Sequence, residues 1–177
     1  MSMPERWLLV ALLLAASGAQ AETPHLGQPL SAEQRAALPH SVYPDGRGLP
    51  AGQGTVANGQ AIYAARCQSC HGERGRGGSG GALISSGLLT GPEPDPAVNN
   101  YWPYATTLWD FTRRAMPMNA PGSLSVDDTY AVTAYLLHLS GLIAADGRLD
   151  AHSLPAVRMP NREGFDWVDV RRPQASP

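Results

Sequence analysis

The chain contains two cysteines, and both lie in one run, Cys67-Gln68-Ser69-Cys70-His71. A Cys-x-x-Cys-His spacing reads as a site of covalent haem attachment. Two thiols separated by two residues share one helical turn, so both reach the edge of one porphyrin and add across its two vinyl groups. The imidazole of the next residue then falls beneath the iron as proximal ligand. The competing reading is a disulfide followed by a chance histidine. A loop closed over two intervening residues constrains the unfolded chain little, which makes a structural disulfide a poor use of the pair. A covalent cofactor also adds a large apolar body to a domain whose own core is limited.

Residues 1–21 read as an export leader. Arg6 supplies a short positive region, Trp7 to Ala16 is an apolar run, and Ala19-Gln20-Ala21 is a cleavage site of the A-x-A kind. The run is shorter than the ~20 residues of a membrane span; an uncleaved N-terminal anchor is the alternative. The expectation is a periplasmic protein with no stable membrane insertion once the leader is removed. The net charge is −2, and all 13 basic residues are arginine. No clustered basic face suggests nucleic acid, and any docking surface must use Arg, Asp, Glu or apolar contact.

Four regions follow. After the leader, residues 22–54 carry five prolines and five glycines and read as an extended N-terminal arm, or equally as a disordered leader. Only Ser31 to Leu38 has the makings of a helix there, with Ser31 as N-cap and Gln34 in the capping-box position. Residues 55–143 are the expected domain, and residues 144–177 read as an extended C-terminal arm.

Within the domain, Thr55 to Arg66 is a helix leading into the cysteine motif. Gly59 and Tyr63 share a face with Cys67, and the glycine permits close approach by another helix despite its propensity cost. Six glycines fall within residues 72–81. Gly75-Arg76-Gly77-Gly78-Ser79-Gly80 matches G-x-G-x-x-G, but no strand precedes it and no helix opens on it, so it is not a nucleotide site. A flexible loop passing the haem edge explains it better. Ala105 to Ala115 is a helix with Leu108, Phe111 and Ala115 as its core-facing stripe, stopped by Pro117. Ser125 begins a final helix with Asp128 in a capping-box position; Val132, Tyr135, Leu136 and Leu139 form its apolar face, and Gly141 lies just past its end.

The second axial ligand is chosen among Met116, Met118 and Met159. Met116 is preferred, because it follows a helix and precedes Pro117, which stiffens the loop and removes a donor. A thioether there raises the reduction potential. Met118 and Met159, a histidine, or an open position are the alternatives. His25, His40 and His152 read as solvated, and His138 as a satisfied boundary residue. Trp102 and Tyr104 either line the haem pocket and donate to a propionate, or are ordinary core. Arg113 and Arg114 either pair with a carboxylate or are solvated.

The run Tyr101-Trp102-Pro103-Tyr104-Ala105-Thr106-Thr107-Leu108-Trp109-Asp110, with Arg113-Arg114-Ala115-Met116-Pro117 and Ala134-Tyr135-Leu136-Leu137, carries a resemblance. It resembles the monohaem cytochrome subunits of molybdenum sulfite dehydrogenases and of the sulfane dehydrogenase of bacterial sulfur oxidation. Met159-Pro160-Asn161-Arg162-Glu163-Gly164-Phe165 is similar to theirs as well. The resemblance covers about residues 54–165. It implies an all-α class I cytochrome c fold, about three to five helices around one covalent haem c, with His71 and Met116 as axial ligands. It also implies a molybdopterin-bearing dehydrogenase as electron donor and a downstream cytochrome c or oxidase as acceptor.

On this reading the chain is an electron-transfer subunit and is not catalytic alone. It departs from the larger members of that family in having a single haem motif. Three alternatives compete: partnership with another periplasmic dehydrogenase, a ligand-binding or peroxidatic haem protein with a labile Met116, and a thiol oxidoreductase using Cys67 and Cys70. The last would need a βαβ pattern, which is absent from the sequence.

Overall fold

Thr55 starts the first long helix because its hydroxyl oxygen accepts the backbone N–H of Asn58 at 3.2 Å, satisfying a donor that a helix start leaves unpaired. The computed structural model describes residues 27–37 and 41–166. The expected leader, His25, His40 and Trp167 lie outside the described residues. The chain divides after Pro39 into two units. In the first, α1 (Ala32–Ala37) is capped reciprocally. Ser31 N–H donates to Gln34 Oε1 at 2.8 Å, and Gln34 N–H donates to Ser31 Oγ at 3.1 Å.

The second unit runs through β1 (Gln53–Thr55), α2 (Val56–Arg66), α3 (Gln68–His71), α4 (Val98–Tyr101), α5 (Ala105–Ala115), α6 (Val126–Leu139) and β2 (Arg148–Asp150). One-turn 3-10 segments lie at Glu73–Gly75 and Leu154–Ala156. It is a helical unit with one two-stranded ribbon, in which Gly54 of β1 pairs antiparallel with Leu149 of β2. Among the described residues no helix is long and apolar enough to cross a membrane.

α6 is the axis of the core. Ser125 accepts the Asp128 N–H at 3.0 Å, and Asp128 Oδ2 takes the Ser125 N–H at 3.2 Å. The far end closes in a Schellman motif: Leu142 N–H reaches Leu137 O and Gly141 N–H reaches His138 O, both at 2.9 Å, with Gly141 at φ +75. Thr129 to Leu137 are all buried, so α6 has no solvent side over that stretch. The hydroxyls of its buried Thr129 and Thr133 are satisfied along the helix, by Ser125 O and Thr129 O, each at 2.7 Å. The expected four-residue apolar face was too narrow, because α6 is covered on several sides at once.

α2 crosses α6 at Gly59. A Cβ there would run into the backbone carbonyl of Ala131 and come within 2.9 Å of Tyr135 Cβ. The Tyr63 and Tyr135 rings meet just beyond, centroids 5.4 Å apart and tilted by 51°. Gly59, Tyr63 and Tyr135 thus meet at the crossing.

Two expectations are corrected here. On α5 the buried residues are Ala105, Thr106, Leu108, Trp109 and Thr112, whereas Ala115 is half-buried and Phe111 is 46 % exposed and stands edge-on to Trp102. Leu108 was common to both stripes; Trp109 packs inward with its ring centroid 5.2 Å from that of Tyr130. The flanking stretches expected as extended arms, 22–54 and 144–177, are in part built into the domain. Gly54 lies in β1, and Leu149, Leu154 and Met159 are buried in the same core as Tyr63 and Leu136. Their apolar residues come singly among polar residues and prolines, so no periodicity marked them.

Candidate functional site

Cys67 ends α2 and begins the turn of α3, so the cysteine motif is continuous with the helix that crosses α6. The N–H groups of Cys70 and His71 both bond the Cys67 carbonyl, at 3.1 and 3.0 Å, which holds Cys67, Cys70 and His71 on one helical turn. The two cysteines are not joined to each other; Cys67 is half-buried and Cys70 exposed. Burial pushes the Cys67 thiol up to about 11.

His71 is oriented by the loop that follows. Its Nδ1 lies 3.0 Å from the Gly81 carbonyl oxygen. That contact places the ring proton on Nδ1 and leaves the Nε2 lone pair for a metal. The loop is held by backbone bonds: Gly77 N–H to His71 O at 2.9 Å, Gly80 N–H to Cys70 O at 2.8 Å, and Gly72 N–H to Gln68 O at 2.8 Å. A Cβ at Gly80 would sit 2.9 Å from His71 Cε1 and 3.2 Å from Cys70 Cβ. The glycines serve close approach to the motif, which is a different use from the flexibility expected of them. Tyr63 adds a tie from α2, its hydroxyl donating to Gly72 O at 2.9 Å. Burial, with the neighbouring Cys67 second, pushes its phenol up to about 12.

These residues fit a covalent haem. Two thiols on one turn, an imidazole with its second nitrogen already engaged, and a side-chain-free strand of loop against the ring are what such a group requires of a protein. Sequence reasoning missed Gly81 and Gly80 as individual residues. The density of glycine after His71 was the available signal, but it did not say which carbonyl would turn toward Nδ1.

The remaining candidates are spread over several elements. Met116 is the C-cap of α5, half-buried, and Pro117 after it is buried. Met118 is 80 % exposed, whereas Met159 is 1 % exposed and belongs to the core. Trp102 is half-buried beside Phe111, with ring centroids 5.4 Å apart. Tyr104 is half-buried with the Arg162 guanidinium 4.6 Å above its ring. Arg114 pairs with Asp110 at 2.7 Å, one turn earlier, and Arg113 donates to Gly122 O at 2.9 Å. His138 Nδ1 lies 3.2 Å from Ile143 O, as a satisfied boundary residue would, and His152 is exposed.

The stretch between motif and α5 is stitched by two asparagines that the sequence did not flag. Asn99 exchanges bonds with the Ser85 backbone at 2.9 and 2.8 Å, and Asn100 donates to Gly87 O and Asp95 O, each at 3.0 Å.

Comparison with known proteins agrees with this geometry. The family model described as Cytochrome c matches residues 56–140. The crystal structure of the sulfane dehydrogenase SoxCD from Paracoccus pantotrophus contains a chain 39 % identical to this one. The two superpose with a TM-score of 0.76 over 85 % of this chain and 75 % of that one. A thiosulfate dehydrogenase from Stutzerimonas stutzeri (strain A1501) is 32 % identical over 102 residues, 56 % of this chain and 32 % of the relative. The match spans about a third of that relative's length.

Proposed function

Because this chain belongs to the class I c-type cytochromes and carries covalent haem c, we propose that it is the exported electron-transfer subunit of a sulfur-compound dehydrogenase. It accepts electrons from a molybdenum sulfite or sulfane dehydrogenase in the periplasm and passes them to a downstream cytochrome c or oxidase. Cys67 and Cys70 would hold the haem covalently, His71 Nε2 and the Met116 thioether would hold its iron, and Trp102 and Tyr104 would lie beside it. The observation that carries the reading is the His71–Gly81 contact at 3.0 Å, which supports an imidazole set to ligate through Nε2. The likeness to a chain of the sulfane dehydrogenase SoxCD supports the choice of partner.

Bound in this way, haem c supplies a one-electron iron couple. The residues of the chain set its potential and hold its edge. The Gly81 carbonyl strengthens His71 as a donor to the metal, and Pro117 stiffens the loop on which the Met116 thioether is carried. With His71 and Met116 both holding the metal, substrate would find no ligand position on it, and oxidation of the sulfur compound would take place on the partner.

The test is reduction of the oxidised, periplasm-matured protein by sulfite in the presence of its dehydrogenase. Rapid appearance of a c-type reduced spectrum is expected, and dithionite reduction without sulfite-driven reduction would end the sulfite assignment. Met116→Ala should abolish the methionine-to-iron charge-transfer band of the oxidised form and lower the potential. The similarity to a thiosulfate dehydrogenase favours a second reading, in which the electrons come from thiosulfate. Substituting thiosulfate for sulfite in the same assay separates the two.

A further inference from the structure

The loop from Pro117 to Leu124 joins α5 to α6 directly after Met116. Its ends are anchored, since Pro117 and Leu124 are buried. Between them, residues 118, 119, 121, 122 and 123 are exposed, and short turns, Ala120 N–H to Pro117 O at 2.8 Å and Ser123 N–H to Ala120 O at 3.3 Å, shape the backbone. Two arginines reach this loop from different helices. Arg66, the last residue of α2 and the neighbour of Cys67, donates from Nη2 to Ser123 Oγ at 2.6 Å. Arg113, in the last turn of α5, donates from Nη1 to the adjacent Gly122 carbonyl at 2.9 Å. Guanidinium donors are charged and geometrically rigid, so each such bond restrains its acceptor more than a neutral side chain would.

We propose that Arg66 and Arg113 are positioning residues that clamp the Met116 loop to the haem-bearing helix and slow release of the methionine from the metal. The inference rests on Met116 being the distal ligand. Arg66 ties the helix end beside Cys67 to the loop that follows Met116. Arg113 ties that loop back to the helix that Met116 caps. Both bonds reach consecutive residues, Gly122 and Ser123, so they restrain one point of the loop from two directions. Each bond opposes the outward swing that would let an external ligand take the distal position. An exogenous ligand that binds only after methionine leaves therefore reports the clamp directly.

The experiment uses the matured, full-length holoprotein and cyanide as probe. R66Q, R113Q, their double variant and S123A are compared with the parent by cyanide-binding rate, reduction potential and the methionine-to-iron charge-transfer band. The band should persist in every variant, while cyanide binds about three- to tenfold faster in each arginine variant, the factor set by loss of one modest hydrogen bond. S123A should reproduce R66Q, because both remove the same bond. Thermal stability of the surface variants should change little, which separates positioning from folding.

Cyanide rates within twofold of the parent in R66Q, R113Q and the double variant would overturn the clamp while leaving Met116 as ligand. A parent protein with no charge-transfer band, and a spectrum unchanged by Met116→Ala, would overturn the ligand assignment and the clamp with it.

Discussion

At the scale of single residues, the site depends on groups that do not themselves carry the chemistry. Gly81 contributes a carbonyl, Gly80 contributes the absence of a side chain, and Tyr63 contributes one hydroxyl to Gly72 O. Tyr63→Phe keeps the ring against Tyr135 and removes only that donor. It should cost about 1–2 kcal/mol, since a partly buried carbonyl loses its partner. Denaturant unfolding of the holoprotein would measure it, and an unchanged midpoint would mean that water replaces the phenol at no cost. The cysteine motif and its chemistry were legible from residue types alone. The carbonyl that orients His71 was not, because any of six glycines could have supplied it.

At the scale of elements, the α2–α6 crossing carries the domain. Gly59→Ala would drive a methyl group into the Ala131 backbone, which cannot move aside as a flexible side chain could. Overpacking of this kind costs about 2–3 kcal/mol, read as a lowered unfolding midpoint with the haem spectrum retained in the folded fraction. A smaller loss would mean that the two helices slide apart cheaply.

The same helix predicts an alkaline limit. Burial, with Asp150 and Asp127 adding repulsion, pushes the Tyr130 phenol from 10.0 up to about 12, and its hydroxyl donates to Pro50 O at 2.9 Å. A raised folded-state pKa means that this contribution is complete below pH 10 and is lost as pH rises toward about 12. Stability measured across that window should fall more steeply in the parent than in Tyr130→Phe. The caps of α6 were readable from Ser125 and Gly141, whereas Thr55, read as the first residue of its helix, is the N-cap. The rotation of α5 was not, because Phe111 and Trp109 are both plausible core residues and only the neighbouring elements choose between them.

At the scale of the whole molecule, the segment after Ala144 closes the core: β2 pairs with β1, and Leu149, Leu154 and Met159 fill space beneath the helices. Met159→Ala should therefore cost about 2–4 kcal/mol through the cavity it leaves, yet preserve the methionine-to-iron band. Loss of that band with unchanged stability would reassign Met159 as the ligand. The outcome thus bears on the wiring of the site and on the architecture together.

The sequence by itself determined the chemistry: two thiols and an imidazole at a spacing that only a helical turn presents together, and a glycine and a tyrosine one turn apart on the helix before them. Such features are local, fixed by backbone periodicity and side-chain type. Tertiary structure decided what depends on partners far along the chain. It turned Gly81 toward His71, rotated Trp109 rather than Phe111 inward, and drew Leu149 and Met159 into the core. The physical reason is that an isolated apolar residue or a bare carbonyl has no preferred direction until a neighbouring element removes the solvent from one side of it.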